Sequence, residues 1–178
     1  MADLERDPIS SAIHNGIKRG IEVALDNGCL DSCVILIYAG MDAMAFLSMP
    51  PSQSTVTRSD FMQWADKYIR FPCKEQLSGA DLYGARCSML HRYGVESSMS
   101  SEGSCRKIGY MDKSVPEVRY DPSKSKDLAM VSVPALKDAF FEGIDKFLVD
   151  AFADKTKREL VESRLRTFIQ KLPGPGAK

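Results

Sequence analysis

The chain has 178 residues, with 24 lysines and arginines against 24 aspartates and glutamates, which is enough for one domain with a substantial core and short of two. A formal net charge of zero excludes a global field that would draw it onto nucleic acid or an anionic membrane, so any such binding has to be local. The charged opening Met1 to Pro8 lacks the apolar run of a secretory signal, and five scattered cysteines, Cys29, Cys33, Cys73, Cys87 and Cys105, suit free thiols in a cytoplasmic setting better than a disulfide framework.

Asp7-Pro8 reads as an N-cap before a first-turn proline, and Ile9, Ile13, Ile17, Ile21 and Leu25 then recur every four residues, predicting a helix to about Asp26. Asn27-Gly28 breaks it. Leu30 to Ser48 follows as a nearly all-apolar second helix, stopped by Pro50-Pro51. The longest apolar stretch, Cys33 to Met49, is interrupted by Asp42 and falls short of the roughly 20 residues a bilayer needs, so it reads as a core helix and no membrane span is expected. Thr57-Arg58-Ser59-Asp60 and Ser78-Gly79-Ala80-Asp81 are capping boxes opening a third and a fourth helix, with Gly94 as the stop of the fourth.

Ser97 to Ser104 reads as a serine-rich loop, and Arg106 to Met111 with Glu117 to Tyr120 alternate as a small β-hairpin around Lys113-Ser114. From Val133-Pro134 a long helix places Leu136, Phe140, Ile144 and Phe147 on one stripe, and Lys157 to Leu172 repeats the pattern. The expected fold is mainly α: a bundle of about six helices over residues 1–172 with a small β-hairpin insertion, and a frayed tail at 173–178.

The residues best suited to chemistry lie in one segment, Arg86-Cys87-Ser88-Met89-Leu90-His91-Arg92-Tyr93. An arginine braces a phosphoryl oxygen through parallel hydrogen bonds, a histidine transfers protons near neutral pH, and a tyrosine can orient a phosphate. On an ideal helix Tyr93 lies almost above Arg86 while His91 stands roughly 140° around, so convergence needs the last turn to adjust or a second copy of the chain to contribute. Asp42 is the other candidate, since a carboxylate in the most apolar helix must find a partner, and Arg86 or His91 is the natural one. Cys29 and Cys33 lie one turn apart, but with only two histidines, far apart in sequence, they read as core thiols; no metal and no cofactor is expected.

The pattern Arg-x4-His-x-Tyr, here Arg86, His91 and Tyr93, resembles the signature of HEPN domains, particularly the toxin-type members paired with minimal nucleotidyltransferases. The full pattern arises by chance roughly once in two hundred chains of this composition and the bare Arg-x4-to-6-His about once in three, so the tyrosine gives the motif its weight. The resemblance implies a helical bundle, a homodimer, and metal-independent RNA cleavage at a composite site where two protomers bring their arginine and histidine together. The chain departs from the family in carrying Cys87 after the arginine and in placing the motif near its middle.

A purely structural account serves the same residues. Arg86 is then a snorkelling or ion-paired residue, His91 a histidine favoured by the helix C-terminus, Tyr93 a half-buried aromatic, and Asp42 a residue on a solvent- or subunit-facing stripe. The corresponding function is a non-catalytic binding or scaffold module that holds a protein partner in a bacterial multi-component system.

Overall fold

In the computed structural model residues 9–112 and 117–168 are described; the Asp7-Pro8 start, the Lys113-Ser114 turn, Leu172 and the tail lie outside them. The described chain is mainly α, with seven α helices and one small three-stranded sheet. Residues Ile9–Lys18 wind as a π helix that runs directly into α1 (Arg19–Asp26). A four-residue isoleucine repeat overshoots the 3.6-residue α turn, and the wider i→i+5 winding takes up the difference, leaving Ile13 and Ile21 fully buried. Gly28, at φ 70°, turns the chain toward the next helix.

The second helix, α2 (Leu30–Ser48), has the expected bounds and packs against α1, α3 (Arg58–Tyr68), α4 (Gly79–Arg92), α6 (Val133–Phe152) and α7 (Lys155–Leu165). Cys33, Ile37, Tyr38, Met41, Met44 and Leu47 are completely inaccessible. Counted as a whole helix, α2 is long and apolar enough to cross a membrane, and half of its most apolar window is buried inside this fold. At Gly40 a Cβ would lie 2.6 Å from Cζ of Phe140, so the absent side chain is what lets α2 and α6 approach. The far end of α2 is held by Arg164 of α7, whose guanidinium donates to the carbonyls of Phe46 (3.0 Å), Leu47 (3.3 Å), Met49 and Pro50 (2.8 Å). These are groups a helix terminus leaves unsatisfied.

Both capping boxes form. Thr57 and Asp60 exchange side-chain and backbone bonds at the start of α3, and Ser78 and Asp81 do the same for α4. Helix α4 ends one residue before the expected stop: Tyr93 itself takes the left-handed conformation (φ 53°, ψ 36°), and the Gly94 N–H closes on the Ser88 carbonyl at 3.3 Å. The expected serine loop contains a single-turn helix, α5 (Ser98–Ser101), because Ser97 caps it by accepting from Ser100 N–H at 3.2 Å.

The β insertion is a sheet in place of a hairpin. Strands β1 (Lys107–Met111) and β2 (Val118–Tyr120) do not pair with one another; β3 (Leu128–Ser132) lies between them, parallel to β1 and antiparallel to β2. Buried Asp81 fastens this sheet to α4. It accepts from the backbone N–H of Arg106 at 2.8 Å and from its guanidinium at 2.6 Å, while also accepting from the Ser78 N–H and hydroxyl. Ser132, last in β3, accepts from Ala135 N–H and so starts α6, with Pro134 in its first turn.

Candidate functional site

Helix α4 crosses α2 so that Arg86 meets Asp42. The Nε–H of Arg86 donates to Oδ2 of Asp42 at 2.9 Å, and its Nη2 stands 2.8 Å from the same oxygen as an ion pair. Its remaining Nη1 faces Nε2 of His91 at 3.5 Å. The helix stays regular through Arg92, so it is the length of the arginine side chain, rather than unwinding of the last turn, that spans the angle between positions 86 and 91. Arginine has no acceptor, so the histidine tautomer with a bare Nε2 is the one that fits this contact.

Burial works against the charge of Arg86, and the Asp42 carboxylate more than offsets it, so the guanidinium is held more firmly protonated than a free arginine. Asp42 and Arg86 remain about a quarter exposed, at 27 % and 22 %, and His91 is exposed. The three therefore form a solvent-accessible chain of contacts: an orienting carboxylate, a permanent cation and an imidazole.

Tyr93 is not drawn into this group. It is 61 % exposed, in contrast to the half-buried setting of the structural account, and no hydrogen bond joins it to Arg86 or His91 among the described residues. It occupies the left-handed cap position just past the end of α4.

Two residues that sequence reasoning passed over complete the surroundings. The ring of Tyr83, one turn before Arg86, has the Arg86 guanidinium 5.9 Å from its centroid and that of Arg58 at 5.6 Å, and its edge packs on Phe61 at 5.5 Å. Arg58 is the first residue of α3 and makes no ion pair among the described residues. Two guanidinium groups thus approach one aromatic ring, and one of them, that of Arg86, also meets His91, in a chain of zero net charge. The spacing of Tyr83 to Arg86 was visible in the sequence; the arrival of Arg58 depends on how α3 packs against α4.

Among the described residues no group of three or more histidine, cysteine, aspartate or glutamate side chains is placed to hold a metal ion. His14 is exposed on the π-helical segment. No family model, no curated protein and no solved structure matches this chain.

Proposed function

We propose that this chain is a HEPN-like helical protein acting on RNA or a nucleotide as a metal-independent, toxin-type ribonuclease, working in the cytoplasm as a homodimer. The observation that carries the reading is the contact chain Asp42–Arg86–His91. Arg86 clamps a phosphoryl group and stabilises the charge that develops on it. His91 takes or delivers the proton, and Asp42 orients the clamp. Arg58 and Tyr83 add a second cation and a stacking face, the local attraction that a neutral chain needs to hold RNA.

The test is cleavage of a mixed RNA pool by the full-length chain and its variants. His91→Ala removes cleavage yet leaves the melting temperature nearly unchanged, because a helix-end histidine contributes at most about 1–2 kcal/mol through the helix dipole. Arg86→Ala is comparably inactive, and a chelator leaves the wild-type rate as it was. A folded, dimeric wild type that cleaves no RNA overturns the ribonuclease reading. The non-catalytic binding module then takes its place, a reading favoured by one specific observation: the Arg86 guanidinium is already hydrogen-bonded and ion-paired to a carboxylate of its own chain.

A further inference from the structure

A cleft of about 340 Å³ opens between the end of α2, helix α3, the last turns of α6 and the start of α7, and none of its lining residues belongs to the Asp42, Arg86 and His91 group. Its volume is that of a small-molecule site. Leu47, Trp64, Phe147 and Val161 form an apolar wall. Trp64 is 3 % exposed and its indole N–H finds no acceptor in the fold, although a buried tryptophan ordinarily finds one.

The polar rim is uneven once its partners are counted. Asp150 already accepts from the Lys67 ammonium at 2.9 Å and the Tyr68 hydroxyl at 3.1 Å. Asp60 is engaged by the Thr57 N–H and hydroxyl and by the Gln53 amide. Lys157 shares this rim with Asp150, yet its ammonium makes no hydrogen bond or ion pair among the described residues. It stands third in α7, where the helix dipole adds further positive potential.

We infer that this cleft binds a small amphipathic monocarboxylate, with its alkyl or aryl body on the Trp64–Phe147–Val161 wall and its carboxylate beside Lys157. A cationic ligand would meet two carboxylates whose donors are already supplied. A doubly charged phosphate monoester would face those same carboxylates with only one unengaged ammonium to offset them. An uncharged ligand would make no use of the exposed Lys157 ammonium at the rim. A single negative charge on an apolar body matches both the wall and the rim.

Trp64 is the only tryptophan in the chain, so its emission reports on this wall alone. The full-length protein is titrated with octanoate and, separately, with octan-1-ol. Octanoate is expected to change the emission saturably, and octanol to bind about fivefold more weakly, the contribution of a solvent-accessible ion pair. Lys157→Ala, an exposed substitution, should bring octanoate down to the level of octanol, whereas Lys155→Ala, one charge away but outside the cleft, should change nothing. Leu160→Glu, which sets a carboxylate at the half-buried rim, should remove octanoate binding, with a melting curve showing that the variant is folded. No saturable change with either ligand overturns the site. Equal binding of acid and alcohol, or undiminished octanoate binding in Lys157→Ala, overturns the carboxylate assignment.

Discussion

At Arg86 one guanidinium serves two partners on unequal terms: a short hydrogen bond and ion pair to Asp42 and one long contact to His91. That inequality separates it from the other internal arginine–carboxylate pair. Asp81 is 3 % exposed and receives donors from both its own capping box and Arg106, so its role is to join two elements rather than to face a ligand. Burial works against the Asp81 carboxylate, and the donors from Arg106 and Ser78 together hold its carboxyl below the usual range. Its folded pKa therefore lies below its unfolded one, and the stabilisation is fully present above about pH 4 and lost as the pH falls through the folded value. Asp81→Asn strands a largely buried guanidinium and should cost about 3 kcal/mol near neutral pH. Urea unfolding at pH 7 and again below about pH 4 checks this: the gap between wild type and variant should shrink in acid, and a gap independent of pH would refute the assignment.

Among the elements, those whose cause is local were legible in the sequence. Two capping boxes set the starts of α3 and α4, and the apolar run between Gly28 and Pro50 set α2. The sheet was legible only in part, because β3 reads Leu-Ala-Met-Val-Ser, with apolar residues on its more exposed Leu128–Met130 face as well as on its buried Ala129–Val131 face, and such a short run carries no period of its own. The pairing of Asp42 with Arg86 could be guessed from the cost of an unpaired carboxylate, but Arg58 reaches Tyr83 only because α3 and α4 pack together. The same distinction between local and tertiary causes gives two glycines opposite signs. Nothing lies within 4 Å of a Cβ placed on Gly20, so Gly20→Ala gains helix propensity and should stabilise by about 0.5–1 kcal/mol. Gly40→Ala makes the same propensity gain against Phe140 at 2.6 Å, and overpacking of about 1–3 kcal/mol should outweigh it. Melting temperatures that rise for the first and fall for the second confirm the close α2–α6 contact; a rise in both would mean the Phe140 ring yields.

At the scale of the whole molecule, the core is one continuous cluster reaching from Ile13 to Leu165 with α2 running through it. Even so, the fold does not cover α2 completely: Leu36 is 40 % exposed, Ser32 and Ala39 are exposed beside it, and Asp42 stands partly exposed one turn on from Ala39. A helix apolar on nearly every side keeps an uncovered strip only at the cost of leaving that strip in water. We expect the strip to be covered by the same strip of a second chain, in a two-fold dimer that brings two Asp42–Arg86–His91 groups to one seam. The small side chains at Ser32 and Ala39 allow the helices to approach, and Leu36 supplies the apolar contact. Leu36→Lys should then turn the dimer into a folded monomer, because the substitution lies on the surface of the single chain and in the middle of the pair. Sedimentation equilibrium at about 50 µM distinguishes the cases, since association depends on concentration and folding of the single chain does not. A wild type that stays monomeric there would remove both the dimer and the two-chain site. A dimer that survives Leu36→Lys would move the interface to another face, leaving the contacts within each chain to act alone.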